Sequence, residues 1–512
     1  MQTRQAIHML VAFGLKEGLL EPLDAIWSEN ALLDIMQEAE PWNGEIDNDS
    51  LPPTATPILK VLLDAAVSKG FIEDTPTERD LFDTRLMSTL LPKPSTVAER
   101  FDTLYRQNGI QAATNWFYHF CRASDYIRVD MVARNIAWDY KSDRYGELAI
   151  TINMTKPEKD PREIAKLRLL PPSSYPSCML CKTNMGYAGR MDHPNRQTLR
   201  ILPITLCGEQ WYFQYSPYVY YDQHCIVFKD EHTPMRICDA TFIRFFDFLD
   251  IMPHYFIGSN AGLPVVGGSI LNHDHFQGGV FQLPMAKAQS DQHLVIPGHS
   301  EVDASILRWP MSVVRLTGGN RAELEGIAST LLHSWEEWSD AECGILARDP
   351  DGTMHNTFTP IARIADGKYQ LDLVLRNNVT SEQHPLGVFH PHKELHHIKR
   401  ENIGLIEVMG LFILPGRLNT ELSQVEEILS GQLPYDEETL SNSAHPLNKH
   451  LPWIQRLVSQ YGTQVNDSQK IVREEVGSIC VQVLRDAGVY KDTPDGRRGM
   501  LRWLADTGVT TG

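Results

Sequence analysis

Two changes of hydrophobic period divide the chain and limit the folds open to it. From about Arg4 to Ser124, apolar residues recur at three- and four-residue spacings. They run through Ile7, Leu10, Val11 and Leu15, then Leu59, Leu62, Leu63 and Val67, then Leu104 to Phe120. That spacing gathers the apolar side chains of a helix into one stripe. The Pro-rich breaks at Leu51 to Pro57 and Leu91 to Pro94 separate the helices. From Ile127 to about Pro415 the pattern becomes short runs of β-branched and aromatic residues: Leu148 to Met154, Trp211 to Tyr215, His224 to Phe228 and Tyr369 to Leu375. Helical stretches such as Thr241 to Ile251 and Arg321 to Trp338 lie between them. From Leu418 onward helical spacing returns through Leu422 to Leu429, Ile454 to Val458 and Ile471 to Leu484, with Gly488 and the Pro494 to Gly496 turn as breakers. The expectation is an α+β chain: a helical N-terminal region over 1–125, a mixed core, and a helical C-terminal region over 418–512.

At 512 residues and 42% hydrophobic, the chain is long enough for more than one packed core. A net charge of -18 argues against a broad nucleic-acid or membrane footprint, which needs clustered Lys and Arg. A small anionic ligand held by a few local donors stays compatible with that charge. No apolar run approaches a bilayer span, and Met1 to Arg4 leads into a polar-faced helix pattern without a signal-peptide core, so a cytoplasmic location is expected. Six of the eight cysteines stand alone and read as reduced fillers. Cys178 and Cys181 are spaced as in a zinc knuckle, and equally as a reduced buried pair.

The densest chemistry lies between Gly262 and Gly279. A Gly-rich loop with Gly267, Gly268 and Ser269 runs into His273-Asp-His275-Phe-Gln277. On a strand, alternation puts His273, His275 and Gln277 on one face and Asp274 and Phe276 on the other. The glycines let backbone N–H groups approach phosphate oxygens. An imidazole beside such a loop can attack phosphorus while Gln277 donates to the non-bridging oxygens. A His-X-His pair also serves as a metal-ligand pair or as two hydrogen-bonded histidines, and spacing alone leaves all three open. A second His-X-His at His390 to His392 hints at an internal duplication.

This segment resembles the active-site signature of galactose-1-phosphate uridylyltransferases, in the form with Asp between the histidines and Phe-Gln-Gly-Gly after them that marks the second, bacterial class. Further stretches share the likeness: Tyr175 to Cys181, Gly186 to Arg190, Phe213 to Tyr221, His224 to Phe228, Leu371 to Asn377, and Phe389 to His392 onward through Glu407. It covers roughly Ile127 to Leu418.

The resemblance implies two histidine-triad-like halves with antiparallel sheets, over 126–300 and 301–417. It implies ping-pong transfer of a uridylyl group from UDP-glucose to galactose 1-phosphate through a uridylyl-imidazole at His275. Gln277 matches the family glutamine that bonds the phosphate, Ser269 the loop serine and Asn260 an upstream asparagine, with Gly268 in the loop between. Cys178 and Cys181 would be completed as a structural zinc site by His232 and His273, with no organic cofactor. His384, His390, His392, His396 and His397 match a region where the family holds another metal not needed for turnover, with only Asp291 or Glu301 as carboxylate candidates. Lys399 and Glu407, flanking Asn402 to Gly404, resemble a segment that serves the sugar phosphate from a partner subunit, so a homodimer is expected. By their residues alone, Lys399 and Arg400 also read as a solvated basic turn. Two further readings stand beside this one: a dinucleoside polyphosphate phosphorylase or hydrolase of the same fold, and a non-enzymatic zinc-stabilised nucleotide-binding protein.

Overall fold

A computed structural model describes residues 2–154, 173–268 and 270–512, so Ser269 lies outside the described residues. The chain forms two compact units, each continuous in space but not in sequence.

The first unit comprises Met1–Arg134, Thr155–Thr233 and Gln277–Gly279. Its described helices include Thr3–Lys16, Ala25–Met36, Thr56–Ser68, Pro76–Ser88, Pro94–Asn108 and Ile110–Ala123. Three of them carry Pro in the first turn, where the missing N–H costs nothing. Thr75 caps one by accepting the Glu78 N–H at 3.3 Å. The run read as helical from Leu104 to Phe120 is broken at Gly109, whose φ of 86° ends one helix and starts another. The helix Ile110–Ala123 then packs on an antiparallel sheet of Leu202–Leu206, Glu209–Tyr215 and Cys225–Lys229. Phe117, fully buried, meets the rings of Phe213 and Tyr215 at 6.3 and 5.4 Å. Its burial contributes about 2–3 kcal/mol. The first hairpin closes on Cys207 and Gly208, both at positive φ (51° and 71°), the turn whose twist suits paired strands.

The second unit comprises Asn135–Met154, Pro234–Phe276 and Val280–Gly512. Its main sheet orders Thr510–Thr511, Ser290–Val295, Asp303–Leu307, Val313–Gly318, Lys368–Asn377, Asn356–Ala365 and Phe256–Gly258, every neighbour antiparallel. The helices Asp239–Ile251 and Arg321–Glu337 are tied to each other by Arg321 on Asp247 at 2.6 Å. The second is tied to the sheet by the Trp335 indole, which donates to the Thr357 carbonyl at 3.1 Å. A smaller sheet pairs Ile136–Ser142 with Gly146–Asn153 in antiparallel fashion, and the latter with Leu411–Pro415 in parallel. The helix Ser468–Ala487 lies on that sheet at Gly477, where a Cβ would come within 2.1 Å of the Tyr140 ring. Pro494 to Gly496, expected as a breaking turn, is instead the first turn of the helix Pro494–Asp506. Thr493 accepts the Gly496 N–H there at 3.1 Å, and Pro is at home in such a first turn.

The α+β class, the antiparallel sheets and the helical N- and C-terminal regions follow the sequence expectation. No described helix is long and apolar enough to cross a membrane.

Candidate active site

The strand His275–Gly279 carries the chain from one unit to the other, His275 and Phe276 belonging to the second unit and Gln277 to Gly279 to the first. Alternation extended this strand back to His273; the structure begins it at His275 and leaves His273 in a bend. The cause is local. The His273 carbonyl accepts a hydrogen bond from His275 Nδ1 at 2.8 Å, a contact over two residues that competes with strand pairing.

That bond also fixes the ring. A carbonyl only accepts, so Nδ1 carries the hydrogen and Nε2 keeps the lone pair. Burial lowers the His275 pKa to about 4, against the opposing effect of the His273 bond, so the ring is neutral near pH 7. His275 thus presents one unprotonated nitrogen. Its neighbours are anchored: Phe276 meets Phe245 edge-on at 5.0 Å, and Asp274 stands 3.8 Å from Arg244, with both charged groups buried.

The Gly-rich loop in the same unit is locked to the segment after Lys399. Asn260, 5% exposed, accepts the Leu405 N–H at 2.8 Å. A Cβ at Gly268 would come 2.6 Å from the Asn260 amide nitrogen, and one at Gly404 would come 3.0 Å from its oxygen. Asn402 donates to the Gly267 carbonyl at 3.4 Å. Both glycines are therefore spaces that the Asn260 side chain fills.

Lys399 and Glu407 are buried, and they meet each other at 2.8 Å. Burial works against the Lys399 charge, yet the charge and hydrogen bond of Glu407 raise its pKa above the usual value. The other Glu407 oxygen accepts the Gly404 N–H at 3.2 Å. Arg376, 1% exposed, donates to the Ile403 carbonyl at 2.8 Å and to the Thr359 hydroxyl at 3.2 Å. Among the described residues its Nε has no hydrogen-bond partner, and burial lowers its pKa to about 10 against the pull of Glu407.

The second histidine group is divided. His397 bonds His450 at 2.9 Å, and His396 bonds the Pro391 carbonyl at 2.8 Å. Among the described residues, His392 lies with the carboxylates of Glu394 and Asp486 close enough together to hold a cation. Asp291, one of the expected partners, is engaged by Arg308 at 3.2 Å and by Arg497.

In the first unit, Cys178 and Cys181 place their sulfurs 3.4 Å apart, and Cys181 Sγ lies 3.0 Å from His232 Nδ1. A tetrahedral zinc with such ligands needs donor separations of about 3.3–3.8 Å; the sulfur pair meets this, while Cys181 and His232 stand closer and would part by a few tenths of an ångström to admit the ion. The turn is held by Asn184, which donates to the carbonyls of Cys178 and Cys181, each at 2.8 Å. Burial, then the neighbouring thiol, pushes the Cys181 pKa up to about 11. A bound cation would reverse that direction. His273, 1% exposed, belongs to the second unit.

Gln277 meets His224, its Oε1 lying 3.1 Å from His224 Nε2. No spacing signal marks this histidine: it opens an ordinary strand-like run. Arg128 and Arg190 are committed to internal partners, Arg128 to Asp80 and Asp83 at 2.5 and 2.8 Å and Arg190 to Asp192 and the Tyr175 carbonyl.

The chain matches two family descriptions: galactose-1-phosphate uridyl transferase, N-terminal domain, over residues 20–234, and its C-terminal domain over 248–440. It is similar to proteins named galactose-1-phosphate uridylyltransferase from several bacteria. That of Caldanaerobacter subterraneus is 49% identical over 98% of this chain and 97% of the relative. That of Clostridium acetobutylicum is 46% identical over 96% and 97%, and that of Bacillus subtilis 42% identical over 98% and 97%. Among solved structures, a yeast Ap4A phosphorylase aligns with a TM-score of 0.35 at 10% identity, over 71% of this chain and 95% of that one.

Proposed function

Because the chain belongs to the galactose-1-phosphate uridylyltransferase family, a family of transferases, we propose that it moves a uridylyl group from UDP-glucose to galactose 1-phosphate through a covalent intermediate on His275. The observation that carries this reading is the His275 ring, whose Nδ1–H is spent on the His273 carbonyl and whose Nε2 lone pair is left for attack. In the first displacement Nε2 bonds to the α-phosphorus of UDP-glucose, and the bond to the bridging oxygen breaks to release glucose 1-phosphate. In the second, a phosphate oxygen of galactose 1-phosphate attacks the same phosphorus and the imidazole leaves, giving UDP-galactose. Two displacements let one site serve two similar sugar phosphates in turn.

In this reading Gln277 donates to the non-bridging oxygens of the transferred phosphate. The loop at Gly268, held by Asn260 and carrying Ser269, lies against the nucleotide phosphates, where backbone N–H groups stabilise anionic charge. Lys399 and Glu407, paired with each other, serve the hexose phosphate by holding the backbone from Asn402 to Leu405. On the family resemblance alone, Cys178, Cys181, His232 and His273 would hold a zinc ion in a structural role, with no Lewis-acid step asked of it. A cytoplasmic homodimer belongs to the same reading, on the family resemblance alone.

The test is a trapping experiment with UDP-glucose labelled in the uridine. Wild-type protein is expected to take up the label on His275 and to discharge it as UDP-galactose when galactose 1-phosphate is added. Equal labelling of a His275→Gly variant would overturn the nucleophile. Cleavage of a dinucleoside polyphosphate with no UDP-galactose formed would overturn the reaction.

A further inference from the structure

Gln277 is held by a residue to which this reaction scheme gives no part. His224 is 3% exposed, with Nδ1 2.9 Å from the Tyr218 carbonyl and Nε2 3.1 Å from Gln277 Oε1. The carbonyl only accepts, so Nδ1 carries a hydrogen. With that hydrogen spent, Nε2 could donate to an amide oxygen only from a doubly protonated ring. Burial opposes that charge and lowers the His224 pKa to about 4. A neutral ring accepts at Nε2 instead, and its partner is then the amide nitrogen of Gln277, brought round by a half-turn of the amide that exchanges two ends of nearly equal size.

The ring is clamped in place. Tyr220 stacks on it at 5.3 Å and 27°, and Tyr221 leans on it at 4.6 Å and 45°. Tyr221 has room because residue 279 is glycine: a Cβ there would come 2.6 Å from the Tyr221 ring. The Gln-Gly-Gly run and the Tyr-Tyr pair thus form one brace, assembled around an imidazole.

We propose that His224 is a positioning residue for uridylyl transfer: by accepting one amide N–H of Gln277 it fixes the amide plane and leaves the second N–H as the donor to the transferred phosphate. The proposal rests on the reading of Gln277 given above. A freely turning amide would spend part of its time presenting its oxygen to an anionic phosphate, which repels it. The brace removes that orientation.

A double-mutant cycle on the exchange between UDP-glucose and labelled glucose 1-phosphate tests this, using His224→Phe, which keeps the ring packing and cannot accept, and Gln277→Ala. His224→Phe is expected to slow exchange about tenfold, the worth of one hydrogen bond, chiefly in kcat. In the Gln277→Ala background the same change is expected to cost nothing further. An equal cost in both backgrounds, or no cost in either, would overturn the proposal. Should wild-type protein show no exchange, the uridylyl-transfer reading fails on its own, and 15N-histidine NMR of the wild-type and Gln277→Ala proteins decides the remaining question. The expected spectrum is a neutral His224 protonated at Nδ1, whose Nε2 resonance moves when Gln277 is removed. A ring protonated at Nε2, or an unmoved resonance, would overturn the geometry.

Discussion

Lys399 Nζ stands 2.8 Å from Glu407 Oε1, and both residues are buried, at 4% and 9% exposure. Removing one partner leaves a buried charge without its counter-ion, whereas removing both does not. Glu407→Leu alone is expected to cost about 3–5 kcal/mol in urea unfolding. Lys399→Met combined with it should recover most of that loss. A single variant as stable as wild type would refute the pairing.

Asn260 bridges the Gly-rich loop and the Leu405 backbone. Asn260→Ala strands a buried N–H, which costs about 1–3 kcal/mol. The same variant should raise the KM for UDP-glucose, because the loop loses its prop. Steady-state kinetics beside a thermal melt separates the two effects.

At Gly279 the added methyl of an Ala substitution meets the Tyr221 ring at 2.6 Å and the Asp222 carbonyl at 3.0 Å. Overpacking of this kind typically costs about 1–3 kcal/mol. Tyr221→Leu in the Gly279→Ala background is expected to restore part of the stability, read from the melting temperature. Two losses that simply add would place the strain elsewhere.

Cys178→Ser removes one thiolate from a set whose sulfurs lie 3.4 Å apart. Protein made without a His tag is expected to carry about one zinc per chain by elemental analysis. The variant should carry less and melt earlier. Substoichiometric zinc together with an unchanged melt for Cys178→Ser would sink the metal assignment.

Acid should loosen the C-terminal helices. Burial, together with His450, Arg417 and Arg456, lowers the His397 pKa to about 3, against a weaker pull from Glu421. A histidine whose folded pKa lies below its unfolded value of about 6.5 contributes fully above that value and progressively less as pH falls toward the folded one. Glu421, lowered to about 2 by His450, Lys449 and Arg417 against its own burial, acts in the same direction at lower pH. Between pH 7 and 5 the His397 contribution should fall by about 2 kcal/mol, and His397→Leu should flatten the urea midpoint over that range. A flat wild-type profile would refute the shift.

The alternation of periods made the helix, sheet and helix arrangement legible because burying one face of an element leaves a local, repeating trace. Local signals also misled. The apolar run from Leu104 to Phe120 hid the break at Gly109, and Pro494 read as an end when it is a beginning. The His-Asp-His alternation continued past the true start of the strand, since a two-residue bond from His275 to the His273 carbonyl leaves no mark in residue spacing. Other features depend on residues far apart in the chain. His224 and Gln277 are 53 positions apart, Asn260 and Leu405 145, and the Asp486 carboxylate facing His392 94. No periodicity reaches across such distances. The pairing of Lys399 with Glu407 was closer at hand, eight positions on, yet which of two charged neighbours faces a ligand and which faces the other is set by burial.

Asn260, Gly268 and Gly404 share a single small volume: one amide fills it, and two missing side chains make it available. Substitution routes through these positions are correspondingly narrow. A larger residue at 268 displaces the Asn260 amide, one at 404 presses on it at 3.0 Å, and a smaller residue at 260 opens a hole that neither glycine can close. Lineages that depart from this arrangement would have to change the three positions together, so their identities should travel through descent as one inherited unit.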